Sequence, residues 1–366
     1  MRIGFDGKRA VQNFTGLGNY SRYVADILCH FYPENDYVLY APKKRENKRM
    51  NLLTGQYRQL TLAYPATSFW KKLSSLWRVW GITSQLEKEG IELFHGLSNE
   101  LPLNIHKSRI KSIVTIHDLI FLRYPQYYQS IDRKIYTYKF RKACENADKI
   151  IAISECTKRD IIRYFNIPDD KIEVVYQGCD VSFTHPVTEE KKEEVRKKYQ
   201  LPDHYILNVG SIEERKNILA AVQALPMLPQ HIHIVIVGRR TGYTEKVEQF
   251  IKDNGLGERV HIISNVPFND LPAFYQSAEI FVYPSRFEGF GIPIIEALYS
   301  GIPVVAATGS CLEEAGGPDS IYVNPDDITG LADAFKQIYS NSDKRKNMVE
   351  KGREFAKRFS EKQQSE

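Results

Sequence analysis

An alternation along the chain constrains its fold more than any other feature. Short apolar, β-rich runs alternate with helix-forming stretches from end to end, the pattern of α/β domains built on parallel sheets. Residues 2–5, 37–40, 91–95, 112–117, 149–153 and 172–176 read as strands, with helices over 20–31 and 155–165. Then the series breaks. Residues 188–199 are a dense run of lysine and glutamate, which predicts an exposed helix beside a linker. A second series follows, with strands at 205–209, 233–237, 260–263, 280–283, 304–306 and 321–323 and a helix over 218–225. At 366 residues the chain has room for two doubly wound domains, expected at 1–180 and 181–359 with the boundary near Val181.

The net charge of +5 hides an asymmetry. Residues 1–180 hold 28 basic and 19 acidic side chains, leaving 22 and 26 beyond. The first half should therefore meet something anionic, a membrane surface or a phosphorylated acceptor. No nucleic-acid recognition motif accompanies the charge, so nucleic acid is not the expected partner. Cys29, Cys144, Cys156, Cys179 and Cys311 form no Cys-x-x-Cys pair, which suits reduced thiols in a cytosol. The first residues pass straight into a strand, and no apolar run approaches the ~20 residues that span a bilayer. A cytoplasmic protein, peripheral at the inner membrane face at most, is the expectation.

Four segments carry candidate chemistry. The richest is Glu288-Gly289-Phe290-Gly291-Ile292-Pro293-Ile294-Ile295-Glu296, between the strand at 280–283 and a helix whose first turn suits Pro293. Gly289 and Gly291 let a ligand approach the backbone, and amides at a helix start attract anions. Two acceptor-only carboxylates flanking an anion site suit a molecule with hydroxyls at both ends and phosphates between. Taken alone, the pair also reads as a capping glutamate and an exposed one.

The second segment runs from Asn208 through Gly210 and Ser211 to Arg215-Lys216-Asn217, the phosphate position of a doubly wound fold. Arg215 can fork two phosphate oxygens and Lys216 adds a point charge. Cations at a helix start oppose the macrodipole, which favours an anionic ligand over a merely solvated pair. The third is Thr15-Gly16-Leu17-Gly18, too short for a dinucleotide fingerprint and equally readable as a turn. The fourth is His117-Asp118, at the C-terminal end of a strand where open α/β sheets bind ligands, although a lone histidine is more often structural. Residues 69, 73, 76, 77 and 80 share one face if 69–80 is a single helix, with lysines and Arg78 elsewhere. Such a helix either packs on its own domain or lies at an interface. No Asp-x-Asp motif or metal-spaced histidine and cysteine set occurs, so neither metal nor cofactor is expected.

The Glu288–Glu296 segment resembles the Glu-x7-Glu motif of the retaining family-four glycosyltransferases, and the other segments follow in that family's order. The resemblance implies the GT-B fold: α/β, with two doubly wound Rossmann-like domains facing a central cleft. It implies a bacterial hexosyltransferase of polysaccharide synthesis, mannose from GDP-mannose being preferred by similarity to bacterial mannosyltransferases. The donor would be a nucleotide-diphosphate sugar and the acceptor a glycan or lipid-linked hydroxyl. Arg215 and Lys216 would hold the diphosphate beside Gly210, and Glu296 the ribose. Glu288 with the amides of Gly289, Phe290 and Gly291 would hold the sugar. Gly16 and Gly18 would let the first domain's backbone approach the diphosphate, and His117 would border the transferred sugar. Ser211 stands where some relatives carry a further arginine. Residues 360–366 would begin a helix crossing back to the first domain, cut short here. A GT-B epimerase, a sugar-phosphate synthase and a non-catalytic sugar- or nucleotide-binding protein remain alternatives.

Overall fold

The computed structural model describes residues 1–13 and 16–360. Thr15 of the glycine segment and the expected crossing helix beyond Ser360 lie outside the described residues. The chain divides into two compact units, Met1–Gln177 and Gly178–Ser360, the break falling just before Val181.

The first unit holds β1 (Arg2–Asp6), β2 (Asp36–Tyr40), β3 (Leu60–Ala63), β4 (Leu93–Gly96), β5 (Lys111–Ile116), β6 (Lys149–Ala152) and β7 (Ile172–Val174). They form one parallel sheet in the order β3-β2-β1-β4-β5-β6-β7. Successive side chains of a strand point to opposite faces, and this sheet is covered on both. Tyr37 and Leu39 join Phe5 in one apolar cluster, while Val38 and Tyr40 join Phe94, Val114 and Ile116 in the other. That is why these strands read as continuous apolar runs rather than alternating ones.

The second unit holds β8 (Tyr205–Val209), β9 (His233–Val237), β10 (Val260–Ile263), β11 (Ile280–Tyr283), β12 (Val304–Ala307) and β13 (Ile321–Val323), in the order β10-β9-β8-β11-β12-β13. Ile206, Ile234, Ile236 and Val282 meet Phe335 and Ile338 of a following helix in its core. In each sheet the order reverses once, between β1 and β4 and between β8 and β11. Ligands of open parallel sheets bind beyond the strand ends at such reversals. The lysine–glutamate helix, Glu189–Tyr199, is capped by Thr188. It is tied to the second unit, because Lys191 and Lys198 reach the buried Asp270 carboxylate at 2.9 and 2.8 Å.

Two stretches of the first unit's surface depart from expectation. Residues 69–80 are not one helix: Ser68–Lys72 and Ser74–Leu76 are short helical turns, and a π-helical turn covers Trp77–Gly81. Trp77 is fully buried, while Phe69, Leu73, Leu76 and Trp80 are exposed. A break at Leu73, where ψ is 41°, and the widened turn that begins at Trp77 interrupt the α-helical spacing that would put these residues on one face. The helix Ser130–Asn146 was not anticipated, because Ile131, Ile135 and Tyr138 on its surface are exposed and blur its polar face.

Candidate functional site

The loops leaving β8 and β11 meet at the reversal of the second sheet. Past β8, Gly210 has φ +155°, and the 3₁₀ turn Glu214–Lys216 leads to Asn217 in the left-handed region at φ 55°. The helix Ile218–Ala224 begins only then, so Arg215 and Lys216 stand in the turn before the helix rather than inside it. Past β11, residues 284–291 lead into the helix Ile292–Ser300, with Pro293 in its first turn. Backbone bonds clamp the two loops together. The Arg286 amide donates to Arg215 O at 2.9 Å, and the Asn217 side-chain amide donates to Pro284 O at 3.3 Å and Pro325 O at 2.8 Å. The Arg215 guanidinium also donates to Phe287 O.

This clamp brings together side chains far apart in sequence. Glu288 Oε1 lies 2.9 Å from Arg215 Nη1 and 2.6 Å from Lys216 Nζ. All three side chains are mostly buried, with 12%, 16% and 15% of their surface exposed. Lys216 also donates to Tyr283 Oη at 2.7 Å, its ammonium 5.0 Å from that ring's centre. Burial alone would raise the Glu288 carboxyl, but Lys216 and Arg215 hold it below the ordinary carboxylate range. Burial opposes charge on both cations too, and Glu288 outweighs it and keeps them protonated. Glu213 also lies 3.7 Å from Arg215 and 3.8 Å from Arg239, so three cations face two carboxylates. The surplus positive charge stands in a partly dehydrated setting, where an anion is held more strongly than in water. Tyr283 was not singled out by the sequence; only its place at the end of β11 could have flagged it.

Glu296 sits in the helix Ile292–Ser300 and accepts a 2.6 Å hydrogen bond from Tyr275 Oη. Burial raises its carboxyl to about 7; the Tyr275 bond pulls it back and Asp180 adds a little upward. Phe290, between the glutamates, turns its ring into the core and meets Phe359 at 5.6 Å, edge to face. Only its backbone is available to a ligand. Gly291 has φ +143°, and an added Cβ would stand 3.2 Å from Ala315 Cβ, so the loop needs glycine there.

The first-unit candidates are differently placed. His117 is buried just past β5, donating from Nε2 to Leu97 O at 2.9 Å and receiving the Gln177 amide on Nδ1 at 3.3 Å. Burial drives its pKa down to about 4, so it is neutral at physiological pH with both nitrogens engaged. That environment suits a positioning role and opposes proton transfer. Its ring packs edge-on against Tyr20 at 4.7 Å. Asp118 accepts from the Ile120 amide at 3.2 Å, a local contact. Gly16 is exposed with open space around it. Gly18 is buried, and a Cβ there would stand 1.9 Å from Asn13 O, so the chain's own packing demands that glycine.

At the reversal of the first sheet lies an ion network unforeseen from sequence. Arg78 bridges Asp6 at 2.5 Å and Glu100 at 2.6 Å, and Lys139 approaches Glu100 at 3.5 Å. Among the described residues, no three histidine, cysteine or carboxylate side chains are grouped to hold a metal.

Comparison with known proteins gives this geometry a family. Residues 189–355 match the description "Glycosyl transferases group 1", and residues 21–183 match "Glycosyltransferase Family 4". O-antigen chain mannosyltransferase B of Escherichia coli is 31% identical over 274 residues, covering 73% of this chain and 70% of that protein. The chain belongs to the group 1 glycosyltransferases. O-antigen chain mannosyltransferase RfbU of Salmonella typhimurium is 29% identical, over 62% of this chain and 60% of its own. This glycosyltransferase has the GT-B fold. A crystal structure of Anabaena HepE, solved with UDP and glucose, superposes with a TM-score of 0.76 at 17% identity, over 100% of this chain and 97% of that one. Sucrose-phosphate synthase from Thermosynechococcus elongatus superposes at 0.77 with 20% identity, over 98% and 94%.

Proposed function

We propose that this glycosyltransferase moves a hexose, mannose from GDP-mannose by preference, onto a hydroxyl of a glycan or lipid-linked acceptor, with retention at the anomeric carbon and without a metal. The observation that carries the reading is the Arg215–Lys216–Glu288 cluster at the β8/β11 reversal, a positive, mostly buried site in a chain whose relatives are named mannosyltransferases. Arg215 and Lys216 hold the donor diphosphate and stabilise the charge that develops on it as the anomeric carbon–oxygen bond breaks. The acceptor oxygen bonds to that carbon from the same face, and its proton passes to the departing phosphate oxygen. Glu288 and the backbone of 289–291 hold the sugar, Glu296 accepts from the ribose hydroxyls, and His117 shapes the acceptor side as a neutral ring.

The acceptor reading rests on the first unit's surface. Among the described residues no helix is long and apolar enough to cross a membrane. Exposed Phe69, Leu73 and Leu76 share their segment with the exposed Lys71 and Lys72, and exposed Ile131, Ile135 and Tyr138 share their helix with the exposed Lys134. Arg78 and Lys139, one from each segment, meet on Glu100 and hold the two segments together. Aromatic and basic groups side by side suit the headgroup region of an anionic bilayer, where a lipid-linked acceptor would reside.

The test is a panel of nucleotide sugars offered to the purified protein, read by thermal stabilisation and then by transfer to a lipid-linked saccharide. GDP-mannose should stabilise it most and give an α-linked product. Stabilisation by another donor alone would refute the mannose preference. Epimerisation, or no transfer from any donor, would refute the transferase reading of the site.

A further inference from the structure

Cys311 is fully buried just before the short helix Leu312–Gly316, and its thiol faces the backbone of the Glu288 loop. Its Sγ stands 3.0 Å from Glu288 O and 2.7 Å from Phe290 O, the two carbonyls that bracket Gly289. A thiol carries one proton, so it donates to one carbonyl at a time while keeping both turned toward it. Across a trans peptide the N–H points opposite to the C=O, and no cis peptide occurs among the described residues. With both carbonyls drawn toward the buried thiol, the amides of Gly289 and Gly291 are turned to the loop's other side. The first of these peptides adjoins the Cα from which Glu288 reaches toward Arg215 and Lys216.

We infer that Cys311 is a positioning residue for this loop: its thiol fixes the two peptides that aim Glu288 and the flanking amides. A valine of similar size fills the same space but offers neither carbonyl the thiol's proton. Losing a donor beside buried carbonyls costs free energy unless the peptides rotate, and rotation turns the amides and the carboxylate off target. The residue acts through the loop and touches no reacting atom. Its catalytic consequence rests on the function proposed above; its effect on the loop does not.

The experiment compares the wild-type chain with Cys311→Ser, Cys311→Val and Cys311→Ala. Hydrogen exchange of the peptide spanning 286–293, measured without ligand, should speed up in the valine and alanine variants and stay near wild type in the serine variant. In transfer assays, valine should lower kcat about ten- to a hundredfold with KM for the acceptor little changed, since a misplacement of about 1 Å can cost that much. Serine, which keeps a donor, should recover kcat to within a few-fold. Should valine fail to fold, the serine–alanine comparison decides the same point. Equal exchange and equal kcat in all four proteins would overturn the inference, as would serine and valine losing kcat alike. If wild type transfers from no donor yet the exchange pattern holds, the function fails and the positioning role stands.

Discussion

Glu296 makes a quantitative prediction, because its two roles respond to pH in opposite directions. Its carboxyl moves from an ordinary 4.5 to about 7 in the folded chain, driven by burial. The folded state therefore binds the proton more tightly than the unfolded chain does. Below about pH 4 both states are protonated and the group costs nothing. Between about pH 4.5 and 7 the unfolded chain ionises first, and stability falls by up to about 3 kcal/mol before levelling off. Ligand binding runs the other way. A carboxylate accepts from ribose hydroxyls as a charged, stronger partner than the neutral acid. If only the ionised form binds donor, affinity should rise about tenfold from about pH 6 to about pH 8. Near pH 7 binding should release a fraction of a proton, seen in calorimetry as a heat that varies with the buffer's ionisation enthalpy. Chemical denaturation across the same range should show the opposite slope, which Glu296→Gln should flatten. Donor affinity that is level with pH or rises toward acid, or an unaltered stability slope in Glu296→Gln, would refute the assignment.

Glu288→Gln should cost about 3 kcal/mol of stability, since it strips the charge that pairs two mostly buried cations, and should abolish transfer. Nucleoside diphosphate should bind the variant at least as tightly as wild type, because the carboxylate opposing the diphosphate is gone; a large loss of that affinity would show Glu288 serving the phosphates instead. Arg215→Ala should abolish transfer and weaken nucleoside diphosphate binding together, measured by turnover and calorimetry, and near-normal turnover in a folded variant would remove the site. Transfer should survive EDTA; loss on chelation with recovery on added magnesium or manganese would mean that a metal holds the diphosphate. The protein should co-sediment with anionic but not neutral vesicles, less so with salt, as charges are screened beyond about 8 Å at physiological ionic strength. Trp80→Ser with Ile135→Ser should lower that binding several-fold at unchanged net charge, and equal indifference to both vesicle types at low salt would leave a soluble acceptor.

How legible the fold and site were in the sequence depends on how local each determinant is. Strand runs such as 233–237 and 280–283 are continuous because both faces of their sheet are covered, so composition alone exposes them. β3 was missed because four residues, Leu60–Ala63, on a sheet edge leave little signal. Arg215, Lys216, Glu288 and Glu296 stand out as residue types within short motifs. Their pairing does not, because Arg215 and Glu288 meet only through the adjacency of β8 and β11, and strand order is written in no local pattern. The same gap hid that Glu288, in its loop, is a buried ion-pair partner. Nothing local shows where the Phe290 ring goes, because it packs on Phe359, outside any local window. At Trp77 and Trp80 the assumed period fails, since a break at Leu73 and a widened turn over 77–81 interrupt it, the first residue being buried and the second exposed. Local rules thus single out the candidate groups, and long-range packing decides which way they point. In this chain Phe290, Gly18 and Cys311 serve the second task, holding backbone in place beside or within the segments that carry the first.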